Sequence, residues 1–437
     1  MEGYDFYRNK RKFLVNLVVL TMVLICFVSF VLIFLGVKDN LVLNTNAMTN
    51  NSAGDNTDNT VNSPAFDFPK HSEIGETVNM EFINSLEKGT EAVEIYVLND
   101  IYVLGHTTSS ANEFQRENDS LIQFYAVFDN SGNLNSINYF GNPEEKLLAA
   151  KPYRNGFFTV SESKGKTIFY EIDIVNGTYR SLTPNINISK IYEILYVNDD
   201  ICTLVYADNA INAVWVDDEF QISKILTVTA AENDKVMALS VSNGIFLSVS
   251  DKSLANYLID KNKVELIDNL KNAELQSIYP FNNEVMVMYS NGTALKVIKY
   301  NLTEGSSNTV GLSGQYESGR IFSCGGKIYM IAENETGGKM IAFTEGGDYI
   351  ESKSVNFSVA NKTIYPFSGC FMLFSVEEGI CRVAIVDVEG KIFFRENYEY
   401  GEAADFAMIN SNNLIIFCGD EKSGVKIFKI VPPVFNV

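Results

Sequence analysis

The stretch that decides the fold is IYPFSGCFMLF, residues 364–374, because the chain repeats it. IYPFNNEVMVM stands 86 residues earlier, at 278–288, and IFSCGGKIYMI stands midway, at 321–331. Each copy consists of an apolar segment, a polar or glycine-containing turn and a second apolar segment. Equal spacing without gaps indicates a supersecondary unit of 43 residues that recurs along the chain.

The second apolar segment begins at equivalent positions eight times, with spacings of 56, 44, 44, 40, 43, 43 and 43 residues. These positions are Ile101, Phe157, Ile201, Ile245, Val285, Ile328, Phe371 and Leu414. Two residues before each of them stands Asn, Asp or Gly: Asn99, Asn155, Asp199, Asn243, Asn283, Gly326, Gly369 and Asn412. These residue types tolerate the positive φ angles of two-residue turns, so each unit is predicted to contain a β-hairpin.

A third strand in each unit usually ends at a carboxylate or amide side chain and leads into another turn. The end points are Asp129, Asp173, Asp217, Asp260, Asn301, Thr344 and Asp387. A weaker, more polar strand follows each turn. Four strands per unit, at a period of about 40–45 residues, predict an all-β fold, an eight-bladed β-propeller of four-stranded antiparallel blades. An open solenoid is the alternative, and it needs capping units that the sequence does not show.

The two ends of the repeat region are irregular in complementary ways. The last unit has no fourth strand, because Pro432 and Pro433 follow its third strand and stop the sheet. Residues 77–83 form a spare strand ahead of the first full unit. An unpaired sheet edge promotes association with other chains. We therefore predict that this spare strand completes the last unit and closes the ring.

The N-terminal segment predicts attachment to a membrane. Residues 1–12 end in a basic cluster, and residues 13–37 carry no charge. As a helix this apolar run spans about 37 Å, enough to cross a hydrocarbon core of about 30 Å. A cleaved signal peptide is the alternative, but it has a shorter apolar region followed by an A-x-A-like site. The basic cluster places the predicted cytoplasmic tail inside and the rest of the chain outside the cell.

Residues 38–75 are rich in Asn, Thr, Ser and Asp and contain few large apolar side chains. Such a segment cannot bury enough surface to offset its ordering entropy, so it is predicted to be a flexible tether. The predicted organisation is thus a tail (1–12), a transmembrane signal anchor (13–37), the tether (38–75) and a propeller (76–437). The propeller is then extracellular and held at the cell membrane by one helix.

The composition limits the classes of function. A net charge of −20 disfavours nucleic acid as a partner, because phosphates require Lys and Arg. The two histidines, His71 and His106, lie 35 positions apart, so a zinc site or a catalytic triad would depend on one of them. The cysteines beyond Cys26 are five in number and show no CxxC spacing, which favours buried free thiols. The acidic runs 199–200 and 217–219 lack a calcium-binding loop pattern. No catalytic residue, metal site or cofactor is predicted.

The first unit carries about a dozen additional residues between its second and third strands. They are residues 105–116, and they include His106, Phe114 and Arg116. In propellers this connection opens on the face where ligands commonly bind, so these three residues are the predicted binding residues. A surface insertion without a role is the alternative.

Polar residues near the predicted innermost strands form a second group of candidates. They are Glu193, Gln276, Arg320, Lys362 and Asp405. They are chemically mixed and stand at different offsets within their units, so they do not form one converging acid–base set. We predict a solvated lining of the central channel, with an active site as the alternative.

The strand rhythm and the turn column between residues 76 and 431 resemble those of bacterial membrane-anchored envelope β-propellers without an assigned activity. The WD dipeptide of WD40 blades is absent, and Trp215 is the only tryptophan, so the repeated Trp of quinoprotein-type rings is absent too. The resemblance implies a location in the cell envelope and a binding role, and it implies no catalytic residues.

The sequence therefore predicts a non-enzymatic binding or scaffold propeller displayed outside the cell membrane. Its expected partner is another envelope protein or a wall glycan. The alternative is a propeller-type extracellular glycan hydrolase or lyase, which needs two carboxylates, or a Tyr or His with a basic residue, within about 5–10 Å. A sensor is a third possibility, but a cytoplasmic tail of 12 residues leaves no output domain.

Overall fold

A computed structural model describes residues 79–431, all within the second of two compact units of the chain, Ser52–Val437. Gaps in this description fall at residues 87, 110–118, 243, 282–283, 293, 313–314, 335–336, 345–348, 356, 360–361, 368–369, 378–379, 391, 400–403, 410–413 and 420–424. The predicted cytoplasmic tail, transmembrane helix and tether lie outside the described residues. Among the residues that are described, no helix has the length and apolar character needed to cross a membrane.

The described residues form eight four-stranded sheets. One sheet contains β2 (Thr90–Val97), β3 (Ile101–Thr107), β4 (Ile122–Phe128) and β5 (Leu134–Phe140), and the next contains β6 (Lys146–Tyr153), β7 (Gly156–Ser163), β8 (Lys166–Asp173) and β9 (Thr178–Leu182). A third sheet contains β10 (Ile188–Val197), β11 (Asp200–Ala207), β12 (Ala210–Val216) and β13 (Ile222–Val228). A fourth contains β14 (Lys235–Val241), β15 (Gly244–Ser250), β16 (Ser253–Ile259) and β17 (Val264–Lys271).

A fifth sheet contains β18 (Glu274–Phe281), β19 (Glu284–Asn291), β20 (Ala294–Asn301) and β21 (Ser306–Gly311), and a sixth contains β22 (Ser318–Cys324), β23 (Lys327–Asn334), β24 (Gly337–Phe343) and β25 (Tyr349–Val355). A seventh sheet contains β26 (Thr363–Phe367), β27 (Cys370–Glu377), β28 (Ile380–Asp387) and β29 (Ile392–Glu399). The last sheet contains β30 (Ala404–Ile409), β31 (Leu414–Gly419) and β32 (Val425–Val431) together with β1 (Asn79–Leu86). Within each sheet, strands that are adjacent in space pair antiparallel.

Burial differs systematically across each sheet. Every residue of β15 is buried, whereas most residues of the fourth strand β9 are exposed. A strand covered on both faces requires a nearly continuous run of apolar residues. A strand with one face open to solvent tolerates alternating apolar and polar residues. The core accordingly lies between neighbouring sheets. One cluster, for example, packs Phe322 of one sheet against Phe371 and Ala384 of the next.

The repeat positions fall where the sequence predicts them. Each of the eight positions from Ile101 to Leu414 is the first or second residue of the second strand of its sheet. The turn chemistry differs in detail. Gly326 has a positive φ, but in two other hairpins the positive φ belongs to Arg154 and Asn198, one residue before the predicted Asn155 and Asp199. A positive φ at the first turn position alone is the pattern of a type II′ turn, which explains the shift.

Strand β1 joins the last sheet rather than the first one. Its residues pair with β32 from Asn79 opposite Val431 to Leu86 opposite Val425, with a bulge between Phe82 and Asn84. The resulting strand order is β1-β32-β31-β30. The sheet edge that the last unit would otherwise expose is therefore paired, by residues from the beginning of the domain.

The first strand of each sheet lies against the first strand of the following sheet over much of the chain. Such contacts join β2 to β6, β6 to β10, β10 to β14, β14 to β18, β18 to β22 and β22 to β26. Strand β2 also contacts β30, β31 and β32 of the last sheet. The first strands are thus the innermost strands, and side chains on them meet side chains of neighbouring sheets.

The turn between the third and fourth strands is closed by the side chain that the sequence singles out. In six sheets an Oδ1 atom at this position accepts a hydrogen bond from the backbone N–H two residues later. The residues are Asp129, Asp173, Asp217, Asp260, Asn301 and Asp387, with N···O distances of 2.6–3.1 Å. This Asx-turn replaces backbone hydrogen bonds that a tight turn leaves unmade. The recurring acids are therefore turn residues.

These turns make stability depend on pH. Hydrogen bonds from Asn133 hold the pKa of Asp129 below its usual value, and those from Asn176 do the same for Asp173. Because the folded-state pKa is lowered, the contacts stabilise the fold at neutral pH, and this stabilisation is lost as pH falls through the folded-state pKa. We expect the urea midpoint of the wild type to fall between about pH 5 and about pH 2, and that of an Asp129→Asn/Asp173→Asn variant to fall less. The asparagine Oδ1 still accepts the hydrogen bond, so identical pH profiles would contradict the assignment.

Three cysteines, Cys202, Cys324 and Cys370, are buried free thiols, as the sequence predicts. Burial raises the pKa of Cys202 well above its ordinary value. Cys324 Sγ lies 2.9 Å from the backbone oxygen of Cys370 in the neighbouring sheet. These side chains therefore pack as small apolar groups in the core.

Candidate functional site

The predicted binding loop begins later than the sequence indicates. Strand β3 extends to Thr107, so Gly105 and His106 belong to a core strand and not to the loop. The connection to β4 comprises residues 108–121, and Phe114 and Arg116 lie in it, outside the described residues. His106 is fully buried, with an exposed fraction of 0%. His106 is therefore shielded from solvent, and of the three predicted binding residues only Phe114 and Arg116 belong to the loop.

His106 takes part in an ionic cluster between two sheets. It stands directly opposite Glu91 of β2, and its Nε2 lies 3.1 Å from Glu91 Oε2. Lys146 of β6 places its Nζ 3.4 Å from the same oxygen. The His106 imidazole, aided by Lys146, holds the pKa of the Glu91 carboxyl below its ordinary value against the opposing effect of burial. Glu91 consequently links β2 and β3 to the neighbouring sheet.

The base of the loop is fixed by hydrogen bonds between hydroxyl and backbone groups. Thr90 Oγ1 and Thr107 Oγ1 lie 2.9 Å apart in the buried interior. The Ser109 N–H donates to Thr107 Oγ1, and the Thr108 N–H donates to the Gly89 oxygen. A deletion beginning at residue 105 would remove the end of β3, so an experiment on the loop must be confined to residues 110–118.

A second buried cluster lies between the first two complete sheets. Glu145 is 3% exposed, and its Oε2 accepts hydrogen bonds from Tyr170 Oη at 2.6 Å and Gln123 Nε2 at 3.1 Å. Asn142 donates to it through both its backbone and its side chain. Burial and the Glu145 carboxylate raise the pKa of Tyr170. Every oxygen of Glu145 has a donor, so this cluster fastens two sheets together and offers no open ligand position.

Charged side chains on the innermost strands form the third group. Lys151 on β6 and Glu193 on β10 make an ion pair across two sheets, with Nζ and Oε1 separated by 3.1 Å. Both side chains are largely buried, with exposed fractions of 10% and 16%. The two buried charges compensate each other, because the Glu193 carboxylate neutralises the Lys151 ammonium where little water can solvate it.

Two further cations on innermost strands are not compensated in this way. Arg320 on β22 donates through Nη1 to the backbone oxygen of Gln276 on β18, at 2.6 Å. Lys235 is the first residue of β14. Among the ion pairs between described residues, none includes Arg320 or Lys235. Burial, followed by the neighbouring positive charge of Arg320, lowers the pKa of Lys235 to about 8, while Glu274 opposes the shift.

The predicted channel lining is only partly what the sequence indicates. Arg320 and Gln276 are brought together, and Glu193 pairs with Lys151. Gln276 and Lys362 are buried, each with an exposed fraction of 8%, so they do not form a solvated surface. Asp405 belongs to β30, and its side chain lies outside the described residues. Among the residues that the structure describes, no group of three His, Cys, Asp or Glu side chains is arranged to hold a metal ion.

Sequence reasoning missed Lys235, which no motif marks. A bulge between Leu275 and Ser277 leaves Gln276 unpaired on β18, and similar bulges occur in β2, β6 and β10. Each bulge changes which side chain faces the neighbouring strand. The offset of an inward-facing residue from the repeat position therefore differs between units. For Lys235, the one signal in the sequence was a charged residue at the start of a mostly apolar first strand.

No protein-family model matches the chain, and no curated protein matches it in sequence. Its structure is similar to that of Sqt1 from Saccharomyces cerevisiae, with a TM-score of 0.50 and 12% identity over 81% of this chain and 99% of that one. It is also similar to a prolyl endopeptidase (TM-score 0.48, 9% identity, 76% of this chain), of whose length it spans 55%. The β-propeller domain of the Trilobed protease from Pyrococcus furiosus gives a TM-score of 0.42 and 10% identity, over 72% of this chain and 93% of that one.

These structural neighbours are β-propellers. The described residues of this chain form a succession of four-stranded antiparallel sheets whose first strands lie side by side. The described residues therefore have an all-β fold of the β-propeller type. At identities of 12% or less, the similarity concerns the fold alone.

Proposed function

We propose that this protein is a non-enzymatic binding and scaffold propeller of eight blades, displayed outside the cell membrane by a single N-terminal helix. The observation that carries the proposal is the pairing of β1 with β32. It leaves the last sheet with a complete set of four strands, and it ties the beginning of the domain to its end. This pairing supports the proposal because it removes an edge strand that would otherwise associate with other chains.

Membrane display rests on the apolar run at residues 13–37 and the basic cluster before it. The test is fractionation of cells that express the full chain and a variant lacking residues 1–42. We expect the full chain to remain in the membrane fraction after alkaline carbonate washing and to be cleaved by protease added to intact cells. The shortened variant is expected in the soluble fraction. Full-length protein that is soluble, or that external protease does not reach, would contradict the proposed location.

The binding role predicts that a partner from the envelope contacts the connection between β3 and β4. Because His106 is buried against Glu91, this prediction rests on Phe114 and Arg116. We expect a Phe114→Ala/Arg116→Ala variant to recover less crosslinked partner than the wild type at unchanged thermal stability. The matched control is Tyr349→Ala/Lys263→Ala, which removes an exposed aromatic and an exposed basic side chain from other sheets. Equal capture by the two double variants would refute the loop as the binding surface.

A further inference from the structure

Each of the eight sheets ends, opposite its innermost strand, in an outer strand that pairs on one side only. Such an edge strand offers its free backbone N–H and C=O groups to other chains, and proteins protect these edges with bulges, charged side chains or proline. In six sheets the outer strand contains a β-bulge. These strands are β1, β5, β13, β17, β25 and β29. The outer strand β9 pairs without a bulge, but it carries the charged side chain of Arg180.

Strand β21 (Ser306–Gly311) is the one outer strand, among the eight that the structure describes, with none of these protections. Its sequence, SSNTVG, contains no charged residue and no proline. Its register with β20 runs without a break from Ser306 opposite Asn301 to Gly311 opposite Lys296. Residues 306–309 are exposed. β21 therefore has the regular, accessible edge that a further strand needs for pairing.

The register shows which residues of β21 present their backbone to a further strand. The Leu312 N–H donates to the Leu295 oxygen, one pair beyond the end of β21. In an antiparallel ladder, hydrogen-bonded pairs alternate with non-hydrogen-bonded pairs. The backbone groups of residues 306, 308 and 310 therefore face β20, whereas those of Ser307, Thr309 and Gly311 point away from it. Thr309 lies at the centre of this outward-facing set.

We propose that β21 is a homodimerisation edge, which pairs antiparallel with β21 of a second copy of this chain. A two-fold axis through the centre of the strand sets Thr309 opposite Thr309 of the other copy, and Ser307 opposite Gly311. Threonine pairs are favourable directly across antiparallel strands. The two four-stranded sheets then form one continuous sheet of eight strands. This inference goes beyond the proposed function and depends neither on the membrane location nor on the connection between β3 and β4.

The distribution of charge favours a second copy as the occupant. Two molecules with a net charge of −20 repel each other, so a contact between them needs a place without opposed acidic groups. β21 carries no charge that its own copy would meet. The exposed Glu304 precedes the strand in the turn. Because the paired strands run in opposite directions, the two Glu304 side chains lie at opposite ends of the contact.

The size of the contact sets its expected strength. Pairing through residues 307–311 involves five residues of each copy, whereas a standard interface uses about 20–30 residues a side. We therefore expect a weak dimer, with a dissociation constant on the order of 10–100 μM.

The experiment measures the mass of the full chain in a mild detergent by sedimentation equilibrium, from about 1 μM to about 200 μM. We expect the wild type to change from monomer to dimer over this range. Thr309→Lys is expected to raise the dissociation constant roughly tenfold, because it sets two like charges opposite each other. The matched control Thr178→Lys adds the same charge to an exposed threonine on the outer strand β9, and it is expected to dimerise like the wild type.

An exchange of charge tests the register itself. Thr309→Glu alone is expected to weaken the dimer as Thr309→Lys does. An equimolar mixture of the two variants is expected to restore dimerisation, because opposite charges then face each other across the two-fold axis. Position 309 is exposed, so both variants are expected to keep the urea midpoint of the wild type at concentrations where all are monomeric.

Three results would overturn the proposal. The first is a wild type that stays monomeric over the whole range, which would leave an extended segment of another protein as the occupant of β21. The second is a dimer that Thr309→Lys does not weaken, or that Thr178→Lys weakens equally, since the contact then lies elsewhere. The third is a mixture of Thr309→Lys and Thr309→Glu that associates no better than either variant alone.

Discussion

Deleting strand β1 (Asn79–Leu86) while keeping residues 1–78 is expected to destabilise the protein by roughly 5 kcal/mol or more and to cause aggregation. Leu86 is 2% exposed and packs in one core cluster with Val425 and Ile427, and Ile83 packs against the same cluster. The deletion removes both side chains and the hydrogen bonds to β32. It also leaves β32 as an unpaired edge, which is a template for association with other chains.

The measurement is urea unfolding followed by size-exclusion chromatography of the refolded protein. A chain that lacks residues 1–78 and begins at Asn79 is the matched control, and it is expected to match the stability of the intact domain. Leu86→Ala should cost about 2–5 kcal/mol as a buried truncation, whereas Leu98→Ala, at a position 38% exposed, should cost much less. A β1 deletion that stays monomeric with an unchanged urea midpoint would show that the last sheet does not need its fourth strand.

Gly105→Ala is expected to cost about 3–5 kcal/mol, or to prevent folding. A Cβ atom at Gly105 would lie 2.0 Å from the Glu91 backbone oxygen and 2.9 Å from Ala92 Cα. These atoms belong to the backbone of β2, so no side-chain rotation relieves the overlap. The two strands must separate at a point where Glu91 also holds His106 and Lys146, which disturbs the ionic cluster as well.

Gly165→Ala is the control for this substitution. Gly165 has a φ of +75°, and no atom lies within 4 Å of the place that an alanine methyl group would take. Alanine there meets strain of the backbone without steric overlap, and its expected cost is about 1–2 kcal/mol. Urea unfolding of both variants measures the difference. Equal losses would mean that β2 and β3 can move apart freely at Gly105.

The architecture was predictable because it depends on local features that recur. The hairpin turns, the apolar second strands and the carboxylates of the third turn each appear in nearly every unit, so errors in one copy are corrected by the others. The place of β1 in the last sheet was predictable because the last unit lacks a fourth strand and a spare strand precedes the first unit. Its position, Asn79–Leu86, lies slightly later than the predicted 77–83.

The features that the sequence did not predict depend on contacts between units. Gly105, His106 and Thr107 are small or polar, so they resemble the start of a loop. They lie in a strand because they pair with residues 90–92 of β2, where Glu91 Oε2 lies 3.1 Å from His106 Nε2 and Thr90 Oγ1 lies 2.9 Å from Thr107 Oγ1. Lys235 and Arg320 are related through β18, which a bulge locally rearranges. Such relations arise from geometry between strands that are distant in sequence.

The pairing of Leu86 with Val425 and of Asn79 with Val431 also fixes when the domain can be completed during its biosynthesis. β1 is among the first parts of the domain to be synthesised, and the strand that receives it is among the last. Until the ribosome has released the C-terminal segment, β1 has no partner in the final sheet, and contacts so distant in sequence form slowly. A polypeptide that ends before Val425 therefore leaves β1 without the strand that pairs with it in the complete domain.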